Sequence, residues 1–252
     1  MTSALISADE LKNIINDPTL KIFDATYPVH TAEPVRIPDA QVFDIDDIAD
    51  PDADFAHTLP SKETFQKKLR ALGLNNGDQV VAYDQNGGYM AAARAWWMFR
   101  VFGLDNVRLL NGGLNAWLTA GYDVEQSIEA APPVGDFTAG YRSELVKSYD
   151  DIKQNIQSKI FHVLDARAPQ RFEMEGHIPE SQNLFFMNFM DQNTGMFKQD
   201  LKADINTSKP LAVSCGSGVT ACVDALALYE MGLKDVAVYD GSWTEWSTRK
   251  NG

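Results

Sequence analysis

The strongest constraint on the fold is an internal repeat. In the first half, a short apolar run ends at Asp24 and the motif RIPDA begins 12 residues later; in the second, a run ends at Asp165 and HIPES begins 12 residues later. Residues 80–84 then match residues 211–215, and a helical pattern follows each. Spacings that recur in the same order indicate a duplicated domain.

A further spacing agrees with the duplication. The two matching helical patterns end at Gly103 and Gly232, and glycine is the usual residue just past the end of a helix. Eight residues after each glycine comes Asn111 or Asp240, at the end of an apolar run. The two halves therefore have the same predicted order of elements.

Each half alternates short apolar runs with amphipathic stretches, which lie at residues 62–72, 91–102, 148–156 and 219–231. This alternation predicts an α/β fold of two tandem domains, each a mainly parallel sheet flanked by helices. Residues 123–143 are rich in proline and glycine and show neither helical nor strand periodicity, so we predict a linker there.

Composition excludes several partners. The chain has 252 residues, 44% of them hydrophobic, and a net charge of -13, which disfavours nucleic acid and anionic membranes. We find no basic and apolar leader and no run of about 20 apolar residues, so we expect a soluble, cytoplasmic protein. The two cysteines, Cys215 and Cys222, fit neither a disulfide framework nor a metal site, which suits a reducing compartment.

The copies differ where chemistry is expected. Cys215 has Asp84 as its counterpart, and the run CGSGVTA follows a predicted buried strand and opens a helix. Its glycines let the backbone curl so that several N–H groups point inward, and a helix N-terminus adds partial positive charge. Such surroundings stabilise a thiolate.

The candidate catalytic residues are Cys215, Gly216, Ser217, Gly218, Val219 and Thr220. The catalytic domain would span 144–252 and the non-catalytic domain 1–122.

The run CGSGVTA resembles the active-site loop of the 3-mercaptopyruvate sulfurtransferases, in the two-domain rhodanese family. Motifs along nearly the whole chain follow the family order, among them HTLP, RAWW, NGGL, GHIP and YDGSW. The resemblance implies two tandem rhodanese-like domains. Thiosulfate-preferring relatives usually carry basic residues directly after the cysteine. Gly216 and Ser217 stand there in this chain, which favours a mercaptopyruvate-like donor.

The resemblance also implies a mechanism that needs neither cofactor nor metal. The Cys215 thiolate attacks the sulfur of a small-molecule donor, pyruvate leaves, and a persulfide remains. A small thiol, thioredoxin or cyanide then accepts the outer sulfur. Ser217 either donates a hydrogen bond to the departing enolate or serves only as a turn residue.

Two features concern donor binding. Arg171 matches the substrate arginine of the family, whereas Arg167 suits a structural ion pair. The second substrate arginine is missing, because only EME separates Phe172 from the GHIP motif. Arg36 stands where relatives place a histidine that faces the site, and it is a candidate to replace the lost clamp. His57 lies in a segment that approaches the domain interface in relatives, and it is a further substrate-binding candidate.

Several alternatives stay open. Residues 216–221 satisfy the dinucleotide fingerprint GxGxxA, but only 36 residues follow Gly216, too few for a nucleotide-binding half. Cys222 lies on the apolar face of its predicted helix, so it is either a core residue or a resolving thiol. The remaining functional alternatives are a thiosulfate sulfurtransferase and a catalytically weak sulfur-relay or binding module.

Overall fold

The computed structural model describes residues 3–126 and 131–250, the side chain of residue 250 excepted. In the first half the strands are Leu5–Ile6 (β1), Leu20–Asp24 (β2), Val35–Arg36 (β3), Gln41–Val42 (β4), Gln79–Tyr83 (β5), Val107–Leu110 (β6) and Glu125–Gln126 (β7). The helices are Ala8–Ile14 (α1), Ile45–Ile48 (α2), Lys62–Ala71 (α3), Met90–Val101 (α4) and Gly113–Thr119 (α5).

In the second half the strands are Val146–Lys147 (β8), His162–Asp165 (β9), Gln182–Asn183 (β10), Leu211–Ser214 (β11) and Ala237–Tyr239 (β12). The helices are Tyr149–Ser158 (α6), Pro169–Met174 (α7), Ala221–Glu230 (α8) and Ser242–Lys250 (α9). Helices α1 and α6 occupy equivalent places, and each begins with a capping box, Ser7 with Glu10 and Ser148 with Asp151. The duplication therefore extends to how the first helix of each half is started.

Two five-stranded sheets have the same topology. Their strand orders are β1-β6-β5-β2-β4 and β8-β12-β11-β9-β10, and all their strand pairs are parallel. The central strands β5 and β11 are nearly continuous apolar runs because helices cover both faces of each sheet. The predicted fold of two parallel α/β domains is confirmed.

The two halves share one apolar core. Helix α4 of the first half packs against helix α8 of the second, and every residue from 91 to 101 is buried. Residues 221–228 of α8 are also buried. These two helices are buried on all sides because each has a sheet on one flank and the other half on the opposite flank.

The segment between the halves follows the first domain closely. Strand β7 pairs antiparallel with β3, although no strand was expected between residues 123 and 143. Further on, the Gly135 N–H donates to the Arg70 carbonyl at 2.8 Å, and the Arg142 N–H donates to Val101 at 2.8 Å. A Cβ on Gly135 would lie 1.9 Å from the Leu74 oxygen, so only glycine allows this approach. The predicted boundaries of the linker stay a prediction.

Within the described residues, none of the helices combines the length and the apolar character needed to cross a membrane.

Candidate functional site

The Cys215 loop runs from the end of β11 to the start of α8, at the carboxyl edge of the second sheet. Its carbonyls are directed to α9: the Cys215 oxygen accepts from Trp243 N at 3.0 Å, and the Gly216 oxygen accepts from Thr244 N at 2.9 Å. The Cys215 N–H donates to Ser242 Oγ at 3.1 Å. Among the described residues, the backbone N–H groups of 216–220 have no acceptor, so they are available to an anion that binds at the loop.

The equivalent loop of the first domain has a carboxyl group of its own in place. The Asp84 carboxylate accepts from Gly88 N at 2.6 Å and from Ala92 N at 3.3 Å. Burial raises the pKa of Asp84 to about 7, although these N–H groups favour the charged form. The first loop therefore directs N–H groups at its own carboxyl group, whereas the N–H groups that follow Cys215 in the second loop have no protein acceptor among the described residues.

Access to the sulfur is narrow. Cys215 is 2% exposed, while Gly216 and Ser217 are half-buried. The Ser217 hydroxyl has no hydrogen-bond partner among the described residues, which leaves it available to a ligand.

Gly218 lies where the loop contacts Asp240 and Arg94. Its φ is +78°, and a Cβ there would lie 2.5 Å from the Asp240 carbonyl oxygen and 3.2 Å from Arg94 Nη1. Only glycine satisfies both the left-handed backbone and the close approach. The loop therefore packs closely against the segment that follows β12.

Arg94 reaches this loop from the other domain. Its Nη2 donates to Asp240 Oδ1 at 2.7 Å and to the His57 carbonyl at 2.5 Å, and its Nη1 donates to the Gly218 carbonyl at 3.3 Å. The guanidinium also lies 4.5 Å from the Trp97 ring centroid. A buried cation of the first domain therefore helps to shape the cysteine loop of the second.

His57 belongs to the same interdomain network. Its Nδ1 is buried without a hydrogen-bond partner and lies 3.5 Å from Asp46 Oδ1. Burial, followed by the charge of Arg94, lowers the pKa of His57, so the imidazole is neutral at neutral pH. The structure brings His57 to Arg94, and its role toward a donor stays a prediction.

Arg171 lies directly over the loop. Its Nη1 is 3.6 Å from the position that a Cβ on Gly216 would take. Glu175, one turn later, accepts from Arg171 Nε at 2.8 Å and from Nη2 at 3.0 Å, and this contact raises the pKa of the arginine. The structure therefore places the expected donor-binding arginine beside the cysteine loop.

Arg167 and Arg36 are held by carboxylates of their own domains. Arg167 is 2% exposed, and its Nη2 is 2.7 Å from Asp165 Oδ2, as suits a structural pair. The Nε of Arg36 is 3.2 Å from Asp24 Oδ2. Among the contacts of the described residues, none joins Arg36 to the Cys215 loop or to Arg171, so the second-clamp hypothesis has no contact to support it.

Cys222 lies in the core, beneath the loop. It is 0% exposed, and its Sγ donates to the Gly218 carbonyl at 3.2 Å. Burial raises the pKa of this thiol to about 12, which disfavours the thiolate that a resolving cysteine needs.

Sequence reasoning missed two acidic residues near the site. Asp224 of α8 is fully buried, and neither of its carboxyl oxygens has a partner. Burial, followed by the charges of Cys215 and Asp165, raises its pKa well above the usual range. In the sequence, Glu175 was noted only as part of the short EME segment before the GHIP motif. Its spacing of four residues from Arg171 could have predicted the ion pair.

Comparisons with known proteins agree with the duplicated fold. The family model described as "Rhodanese-like domain" matches residues 7–120 and 148–249. The chain is 37% identical to the human 3-mercaptopyruvate sulfurtransferase, covering 98% of this chain and 92% of that protein. It is 36% identical to "Thiosulfate/3-mercaptopyruvate sulfurtransferase 1, mitochondrial" of Arabidopsis thaliana, covering 97% of this chain and 76% of the relative.

A solved structure agrees over the same length. The crystal structure of SseA from Escherichia coli, a 3-mercaptopyruvate sulfotransferase with the rhodanese fold, superposes with a TM-score of 0.87. It is 33% identical, and the match covers 96% of this chain and 99% of SseA.

Proposed function

The chain belongs to the rhodanese-like family, and on that premise we propose that it is a sulfurtransferase that carries sulfane sulfur on Cys215 as a persulfide. The observation that carries the proposal is that the N–H groups after Cys215 have no protein acceptor among the described residues, whereas Asp84 accepts from N–H groups of the equivalent loop in the first domain. One working site in a duplicated fold follows from that difference. Sulfurtransferase relatives over nearly the whole chain support it.

The first half-reaction loads the enzyme. The Cys215 thiolate attacks the sulfur of 3-mercaptopyruvate, the carbon–sulfur bond breaks, and pyruvate leaves as its enolate. The enolate then takes up a proton to become pyruvate. The free N–H groups of residues 216–220 stabilise both the thiolate and the persulfide anion. The unpartnered Ser217 hydroxyl is placed to donate a hydrogen bond to the enolate oxygen.

The second half-reaction unloads it. A thiol, thioredoxin or cyanide attacks the outer sulfur, the sulfur–sulfur bond breaks, and Cys215 is released as a thiolate. With a thiol the product is the acceptor persulfide, and with cyanide it is thiocyanate. No oxidant is consumed, because the sulfane sulfur moves as a unit between nucleophiles.

Mercaptopyruvate is the proposed donor because the loop supplies N–H groups and a hydroxyl but no cation after Cys215. Arg171 supplies the charge for the donor carboxylate, at 3.6 Å from the Gly216 Cβ position. One of the two relatives described above is named for mercaptopyruvate and the other for both mercaptopyruvate and thiosulfate, so thiosulfate is the competing donor. We place the reaction in the cytoplasm, where a free cysteine stays reduced.

Turnover with the two donors tests the proposal. We expect a higher kcat/KM for mercaptopyruvate, followed by pyruvate release, than for thiosulfate, followed by thiocyanate formation from cyanide. A preference for thiosulfate would overturn the donor but not the reaction. Absence of turnover with both would overturn the enzyme proposal and favour a binding or relay module.

A further inference from the structure

Glu175 holds the arginine on which donor binding depends. Its two carboxylate oxygens engage the Nε and Nη2 edge of Arg171 at 2.8 Å and 3.0 Å. Among the described residues, Nη1 of Arg171 has no protein acceptor, and it lies 3.6 Å from the position that a Cβ on Gly216 would take. A donor can therefore reach the Nη1 end of the guanidinium, while the edge formed by Nε and Nη2 is already occupied by Glu175.

The same carboxylate also balances the charge of the site. Glu175 Oε2 lies 3.3 Å from Arg167 Nη1, and Arg167 is already paired with Asp165 at 2.7 Å. The two arginines are thus matched by two carboxylates. An incoming anion meets a neutral group of four side chains rather than a cationic pocket.

We propose that Glu175 determines donor specificity by masking one edge of Arg171, so that donors with a single carboxylate charge are accepted and the thiosulfate dianion is disfavoured. The inference rests on the sulfurtransferase function proposed above. Gly216 also affects donor specificity, because a basic side chain at this position would lie against the Arg171 guanidinium and repel it. The net charge beside the cysteine loop therefore depends on Glu175 as well as on the loop residues.

The physical reason is the difference in donor charge. When Glu175 is neutral, the Nε and Nη2 edge of Arg171 is free to attract the donor, and this attraction is proportional to the charge of the donor, so it is twice as large for the dianion. Removing the charge of Glu175 should therefore raise kcat/KM for both donors, and it should raise kcat/KM for thiosulfate more. At the half-exposed positions of Arg171 and Glu175, one additional unit of donor charge corresponds to about a three- to tenfold change in kcat/KM.

The test compares both donors on the same preparation of Glu175→Gln, so that any unfolded fraction cancels in the ratio. We expect kcat/KM for thiosulfate divided by that for mercaptopyruvate to rise about three- to tenfold, and less at high salt. The matched control is Glu180→Gln, because Glu180 is exposed and pairs with Lys159 at 2.6 Å, away from the loop. The control should leave the ratio unchanged.

A second background shows whether Arg171 mediates the effect. In Arg171→Gln, the further change Glu175→Gln should move the donor ratio less than it does in the parent, because there is no guanidinium to unmask. An unchanged ratio in Glu175→Gln, or an equal rise in both backgrounds, would overturn the inference while turnover by the parent upholds the function. A parent inactive with both donors would overturn both.

Discussion

Arg94 of the first domain and Asp240 of the second form an ion pair of 2.7 Å, and the same arginine donates to the Gly218 carbonyl of the cysteine loop. Asp240 Oδ2 also accepts from Leu59 N at 2.8 Å. The duplication repeats this contact in reverse, since Asn111, the counterpart of Asp240, accepts from Phe197 N of the second domain at 2.8 Å. The two domains are thus fastened at equivalent strand ends.

Replacing Arg94 should destabilise the protein strongly. Arg94→Met leaves Asp240 partly buried without its counterion, and we expect the free energy of unfolding to fall by about 3–5 kcal/mol, measured by denaturant titration. Arg142→Met is the control, because Arg142 and Asp105 form an exposed pair whose loss should cost about 0–1 kcal/mol. Similar losses in the two variants would contradict the assigned role of Arg94.

Asp224 should give stability a distinctive pH dependence. Because its pKa is raised in the folded state, folding takes up a proton above the unfolded pKa of about 4, so its contribution is full below that pH and declines as pH rises. We expect Asp224→Val to raise the free energy of unfolding at pH 7 by about 1–3 kcal/mol and to flatten the decline. A variant less stable than the parent at pH 7, with an unchanged pH slope, would show that the carboxyl is paired.

Gly218→Ala should impair sulfur transfer. The change places a methyl group 2.5 Å from the Asp240 oxygen at a φ of +78°, so the loop must shift. The matched control is Gly232→Ala, where φ is +97° but no atom lies within 4 Å of the new Cβ. Both variants should lose about 1–2 kcal/mol of stability through backbone strain, and only Gly218→Ala should lose turnover per folded molecule. Equal turnover would argue against this role of the loop.

Arg171→Ala should lower kcat/KM for mercaptopyruvate about ten- to a hundredfold, because a charge-assisted hydrogen bond to the donor is lost. Arg36→Ala separates the two arginines. Since Asp24 holds the guanidinium of Arg36, we expect a change of less than about threefold in kcat/KM per folded molecule. A loss as large as that of Arg171→Ala would restore the second-clamp hypothesis.

The sequence was most informative where structure is local or repeated. The alternation of apolar runs and amphipathic stretches predicted both sheets, because the same order recurs in each half. The glycine-rich turn after β11 predicted the N–H groups of the cysteine loop, because a turn depends on residues a few positions apart. The Arg94–Asp240 pair was out of reach, since 146 residues separate the two partners. The ion-pair partner of Arg36 could not be predicted either, because it depends on which carboxylate the tertiary fold brings close to the side chain.

Cys215 carries the sulfur in the proposed reaction, and mass spectrometry of the donor-treated protein tests this role most directly. After incubation with mercaptopyruvate and no acceptor, the peptide containing Cys215 should gain about 32 Da, the mass of one sulfur atom, and lose it when cyanide is added. Cys215→Ser should gain nothing and should not turn over. Sulfur found on Cys222, or turnover by Cys215→Ser within about tenfold of the parent, would contradict the account.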